Sequence, residues 1–132
     1  MHADNTDYKH AELTEQIIRE AFVVHNSLGS RFVEKIYENA LCKRLQQSGL
    51  RFQQQPSIKV WFESEIVGEF AADIIVQDQV ILELKAVEQL QKIHEGQLVN
   101  YLKATGIEVG LLINFGRKVD IRRKVFTTDT IS

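Results

Sequence analysis

Three residues have types and spacing suited to chemistry: Asp73, Glu83 and Lys85. Val80-Ile81-Leu82 reads as a buried strand, yet it runs straight into Glu83-Leu84-Lys85. Alternate residues of a strand share a face, so Glu83 and Lys85 point the same way. Such charges are rarely buried without a partner or a task. Asp73 repeats the pattern, standing between Phe70-Ala71-Ala72 and Ile74-Ile75-Val76, and an acid inside an apolar strand needs a partner. Strands over 66–76 and 80–85 would form an antiparallel pair, in which opposed residues share a face. Asp73 then lies opposite Glu83 if paired residue numbers sum to 156, which leaves Gln77, Asp78 and Gln79 as a three-residue turn. A two-residue turn would put the acids on opposite faces of the sheet.

Two carboxylates side by side repel, and one is driven toward its protonated form. A divalent cation between them removes that repulsion, and oxygen ligands with neither His nor Cys suit Mg2+ or Mn2+. Lys85 adds a positive charge for an attacking water or a scissile phosphate. This is the chemistry of metal-assisted phosphodiester hydrolysis, in which the ion polarises the phosphate and acidifies a bound water. Spacing alone fits a second arrangement equally well: a hairpin with a surface Glu83–Lys85 salt bridge and an exposed Asp73.

The elements that must position these residues follow from the hydrophobic periods. A chain of 132 residues, 44 % apolar and 26 % charged, suits one soluble domain. The net charge of −2 means that any nucleic-acid contact must come from a local patch or a bound cation. The single cysteine, Cys42, excludes an internal disulfide and a cysteine-based zinc cluster and reads as a small core residue. No signal peptide is visible in the polar start MHADNTDYKH, and no apolar run approaches the ~20 residues of a membrane span. A cytoplasmic protein is the expectation.

Residues 1–8 and 127–132 are expected to be flexible ends of a single domain. Leu13, Ile17, Ala21, Val24 and Leu28 recur at helical spacing, which predicts a helix over about 9–27 stopped by Gly29. A second helix over about 31–48 carries the stripe Val33, Ile36, Tyr37, Ala40, Leu41 and Leu45, and Gly49 ends it. Residues 52–55 are extended, and Pro56 marks a strand entrance or edge. Ile58, Val60 and Phe62 alternate with Lys59, Trp61 and Glu63, with Trp61 half-buried or at an interface, and residues 63–65 form a turn. Together with 66–76 and 80–85 this reads as a β-meander. Helical period returns over 89–105, with Ile93, Leu98, Tyr101 and Leu102 toward the core and Gly106 as the stop. The apolar run 109–114 is a buried central strand, residues 114–117 turn, and 119–126 is the last strand. The order predicts an α/β or α+β sandwich around a mixed sheet.

At this level of detail the sequence resembles the GxxExxY family, a branch of the PD-(D/E)XK nuclease superfamily. The segments that carry the resemblance are LGSRFVEKIYENAL (28–41), VGEFAADIIV (67–76), ILELKAVEQL (81–90), HEGQLVNYLKATG (94–106) and VGLLINFG (109–116). The resemblance implies a restriction-endonuclease-like core, a central mixed β-sheet flanked by helices, and a Mg2+- or Mn2+-dependent nuclease acting on DNA or RNA. It implies Asp73 as a metal-binding acid and Glu83 and Lys85 as the E-x-K element. It further implies Glu34 of the first core helix as a holder of metal or metal-bound water, and Gln97 and Tyr101 as a Q-x-x-x-Y element lining the site. Tyr37 and His94 fall on matching positions and are expected near substrate, His94 not as a metal ligand.

The chain departs from the motif at its first glycine, which is Arg31, and at the preceding proline, which is Ser30. An arginine is a poor copy of a glycine held at positive φ, and Ser30 offers a cap for the second helix instead. Glu34 is expected in the site, with Glu38 nearer its rim. Arg117, Lys118, Arg122, Arg123 and Lys124 form a basic run, either a solvated face or a track for a phosphate backbone. The alternative to a nuclease is a catalytically silent nucleic-acid-binding or protein-interaction module on the same fold. A homodimer and a specificity partner protein are compatible with so small a chain.

Overall fold

A computed structural model describes residues 9–127. The expectation of flexible ends at 1–8 and 128–132 lies outside these residues, whereas Thr127 is buried rather than part of a loose tail. Helices α1 (Ala11–Leu28) and α2 (Glu34–Gln47) open the chain. Strands β1 (Phe52–Gln54), β2 (Ser57–Phe62), β3 (Glu65–Ala71), β4 (Ile74–Val76) and β5 (Val80–Lys85) follow. Helix α3 (Lys92–Thr105) then crosses over to β6 (Val109–Phe115), and β7 (Val119–Val125) closes the described chain.

The main sheet has the order β1-β4-β5-β6-β7, with β5 and β6 parallel and the other neighbours antiparallel. This is the mixed α/β architecture that the element order predicts. Period-two alternation in β5 sorts its side chains between two layers. Val80, Leu82 and Leu84 join Ile17, Ala21, Tyr37 and Leu41 in the core beneath α1 and α2. Ile81 faces the other way, with Leu98 and Leu102 of α3 and Ile58 of β2. Glu83 and Lys85 share the parity of Ile81 and so belong to the α3 face. Among the described residues no helix is long and apolar enough to cross a membrane.

The turn expected at Gln77-Asp78-Gln79 is present: Val76 pairs with Val80, Ile75 with Ile81 and Ile74 with Leu82. Gln77 and Asp78 both take φ 56°, and Gln79 N–H closes the turn on Val76 O at 2.9 Å. The expected continuous strand over 66–76 is instead two strands, so the meander is a correction. Residues 65–71 pair only with β2, in a separate two-stranded ribbon, and 74–76 sit between β1 and β5. The break falls at Ala72-Asp73 because Asp73 N–H is turned to the Glu83 carboxylate instead of to a ladder carbonyl.

Helix α2 starts three residues later than expected, at Glu34 with Val33 as N-cap, and Ser30 caps nothing. Arg31 holds φ 84°, a left-handed conformation that glycine would adopt more readily, so the turn before α2 forms with arginine in place. The late start leaves Val33 and Ile36 exposed instead of in the core. Helix α3 starts at Lys92 instead of 89, and Ile93 in its first turn is 73 % exposed instead of core-facing. Trp61 is 61 % exposed at the far end of the ribbon rather than half-buried.

Candidate active site

The break in the 66–76 segment makes the site. Because Asp73 leaves one sheet and enters the other, its backbone and side chain are both free to meet β5. Asp73 N–H donates to Glu83 Oε1 at 3.0 Å, and Leu84 N–H donates to Asp73 Oδ2 at 2.7 Å. Each acid therefore binds the backbone beside the other, which fixes both carboxylates at the carboxyl end of β5. Lys85 ends the same strand on the same face, half-buried beside Asn114 of the parallel strand β6.

Helix α2 brings two more acids to this point from its first turns. Glu34 is partly buried and Glu38 is only 2 % exposed, so Glu38 lies deep in the structure and not at the rim. Glu38 is held by Lys35 (2.9 Å), Gln54 (2.7 Å) and Gln55 (3.0 Å), and Gln55 Nε2 also donates to Asp73 Oδ1 at 3.3 Å. Gln54 and Gln55 thus tie Glu38 to the end of β1 and to the site. Their only sequence signal is a run of three amides before Pro56, which the pattern of acids and lysine does not single out.

The acids share one field. Burial, then the Asp73 charge, pushes the Glu83 carboxyl from its ordinary 4.5 up to about 8, against the opposing pull of the Asp73 N–H and Lys85. Burial also raises Asp73, with the Leu84 N–H opposing and the Glu38 charge adding. Glu34 is raised by burial first, with Lys85 lowering it and Asp73 and Glu38 raising it. Across the site Tyr101 of α3 is raised by burial and then by the charge of Glu83, which places its hydroxyl in the same field. Gln97 Nε2 donates to that hydroxyl at 2.7 Å, and Phe70 of β3 stacks on the Tyr101 ring at 4.1 Å.

Two expected site residues do other work. Tyr37 is fully buried, stacked on Phe115 at 4.6 Å, and its hydroxyl donates to Gly29 O at 2.5 Å and accepts from Phe32 N–H at 3.3 Å. It closes the α1–α2 loop and cannot line a surface. His94 caps α3, its Nδ1 accepting the Gln91 N–H at 3.1 Å. A latch escaped the sequence reading: Asn114 Oδ1 accepts Val87 N–H (2.9 Å) while its Nδ2 donates to Val87 O (2.8 Å). It pins the chain that leaves Lys85. A Cβ at Gly116 would lie 2.8 Å from Val87 O, so the next turn needs glycine for close approach.

The donor set fits a hard divalent cation. Asp73 and Glu83 lie against one another's strand, and burial raises both carboxyls in a way that a cation would relieve. Among the described residues no group of three acids stands close enough to form a complete cage. Mg2+ is commonly held by one or two carboxylates with waters and substrate phosphate completing its shell, which Asp73 and Glu83 can supply.

A profile of the PD-(D/E)XK nuclease superfamily matches residues 11–124, and the chain belongs to that superfamily. Its members generally use divalent metal ions. The crystal structure of SSO0001 is similar in fold, with a TM-score of 0.59 at 17 % identity, over 95 % of this chain and 62 % of that one. The chain thus spans less than two thirds of that protein's length. An alkaline exonuclease from Laribacter hongkongensis, LHK-Exo, aligns with a TM-score of 0.43 at 12 % identity, over 86 % of this chain and 70 % of the exonuclease. No curated protein matches the sequence.

Proposed function

We propose that the chain is a single-domain, Mg2+- or Mn2+-dependent nuclease of the GxxExxY branch, cleaving phosphodiester bonds of DNA or RNA. The observation that carries this reading is the reciprocal bonding of Asp73 and Glu83 beside Lys85 at the buried end of β5, in a chain of a nuclease superfamily. The GxxExxY positions gain a physical reading as well. Position 31 takes the left-handed turn, Glu34 faces the acid cluster from the first turn of α2, and Tyr37 ties the loop shut.

Asp73 and Glu83 would hold the ion, with Glu34 reaching it through water. When bound, a divalent ion supplies Lewis acidity toward the phosphate and toward a water. Lys85 presents its ammonium group to the scissile phosphate or the attacking water and offsets charge that builds on the phosphoryl oxygens. Glu34 accepts a hydrogen bond from the attacking water and orients it. Water adds to phosphorus and releases its proton to solvent, the P–O ester bond breaks, and the leaving oxygen takes a proton from solvent. Gln97 and Tyr101 hold the wall opposite α2 and orient substrate.

The test is cleavage of single- and double-stranded DNA and RNA with Mg2+, Mn2+ or EDTA, beside Asp73→Ala and Lys85→Ala. Cleavage that needs metal and disappears in both variants is expected. Equal cleavage by all three proteins would sink the assignment, and binding without cleavage would favour the silent module.

A further inference from the structure

The structure divides the basic run of β7. Arg122 is paired with Asp120 (3.0 Å) and Glu95 (3.2 Å), and Lys124 is paired with Glu95. Arg123 turns to the other face, where it donates to Lys9 O at 2.7 Å and Thr14 Oγ1 at 3.3 Å. Those three charges are spent within the fold. Arg117 and Lys118, in the β6–β7 turn, are exposed and make no ion pair or side-chain hydrogen bond among the described residues.

A third exposed cation without such a partner, Arg31, is brought to the same end by the α1–α2 loop. His25 Nε2 is hydrogen-bonded to Gly116 O at 2.7 Å, and Tyr37 joins Gly29 O to the Phe115 ring, so this loop is fastened to the β6–β7 turn. An open groove of about 810 Å3 runs between that turn and the loop after β5, lined by Arg117 and Lys118, by the paired Arg122 and Asp120, and by Glu88 and Asn114. Asn114 is the register partner of Lys85, so the groove opens beside the strand end that carries Lys85, at the carboxyl ends of the parallel pair β5 and β6.

We propose that Arg31, Arg117 and Lys118 form a phosphate-binding rim that holds the backbone of the nucleic-acid strand beside the acid cluster. This rests on the nuclease reading and adds to it how a chain of net charge −2 retains a polyanion. The cations are few and make charge contacts rather than base contacts, so the rim binds strands without regard to sequence. The left-handed turn at Arg31 can be filled by glycine, so removing that charge need not disturb the loop.

The experiment compares the wild type with Arg31→Gly/Arg117→Gln/Lys118→Gln. A control variant, Arg19→Gln/Lys43→Gln/Arg51→Gln, removes equal charge elsewhere. Binding of a fluorescein-labelled single strand and of its duplex is read by anisotropy across a salt series in EDTA, and cleavage with Mg2+ is read in parallel. The rim variant is expected to bind roughly tenfold more weakly and to lose about 2 from the slope of log K against log salt. Its KM should rise while kcat at saturating substrate stays within about twofold of wild type. Arg117→Lys/Lys118→Arg on the wild-type background should keep the wild-type slope. An unchanged slope in the rim variant, or an equal fall in the control, overturns the rim and leaves the nuclease site standing. Rim-dependent binding by a wild type that cleaves nothing supports the rim and sinks the nuclease reading. A wild type that binds neither strand overturns the rim.

Discussion

Glu83 is where the site's electrostatics concentrate. Its carboxyl, ordinarily at 4.5, stands at about 8 because it is buried beside Asp73. The folded metal-free protein therefore keeps a proton that the unfolded chain has released above 4.5. Its stability falls as pH rises from there toward 8, since the folded state binds more protons across that window. The first outcome concerns metal-free protein at pH 8. Glu83→Gln, which can still accept the Asp73 N–H, should raise the melting temperature above that of wild type while abolishing cleavage. A lower melting temperature for the variant would show that the acid is not a burden to the fold. A cation needs the carboxylate form, so Mn2+ binding at pH 7 should expel about one proton, seen as a dependence of calorimetric heat on buffer ionisation enthalpy. Heats independent of buffer would contradict the raised carboxyl.

Elements bring these residues into range, and two small devices decide whether they succeed. Asn114 fills both backbone bonds of Val87 from the end of β6. Asn114→Ala leaves that N–H and C=O without their partner and should cost about 1–3 kcal/mol of stability by urea denaturation. It should also lower kcat, because the chain leaving Lys85 loses its anchor. A variant as stable as wild type would remove the latch from the account. Tyr37 closes the entrance of α2 in the same way: Tyr37→Phe should lose about 1 kcal/mol through the missing bond to Gly29 O, with a smaller effect on KM than Lys85→Ala has on kcat.

The hairpin register was legible in the sequence at this scale, because parity leaves few choices once two acids must share a face. The switch of sheets at Asp73 was not. A run such as Phe70 to Val76 has one hydrophobic pattern, and only the pull of Glu83 on the Asp73 N–H shows where the ladder stops. The start of α2 is hidden for a related reason: a left-handed Arg31 carries no sign of its conformation in its residue type. Gln54 and Gln55 were overlooked because amides do not announce a role until the carboxylate they hold is seen.

At the scale of the molecule, an α/β sandwich gathers acids from α2, from the break before β4 and from β5 at one end of a sheet, and the proposed rim adds cations that make no ion pair among the described residues. The layers are readable from continuous apolar runs, since Val80-Ile81-Leu82 of β5 and nearly all of β6 are apolar on both faces and must be covered twice. The distribution of charge was not readable, because Arg122 and Lys124 look as free as Arg117 until Glu95 is seen between them. Calorimetric titration of Mn2+ into wild type, Asp73→Ala and Lys85→Ala tests the acid cluster as a metal site most directly. Wild type and Lys85→Ala should bind the ion and Asp73→Ala should not, although both variants should be inactive. Equal Mn2+ binding by wild type and Asp73→Ala would contradict the claim that this pair is the metal site.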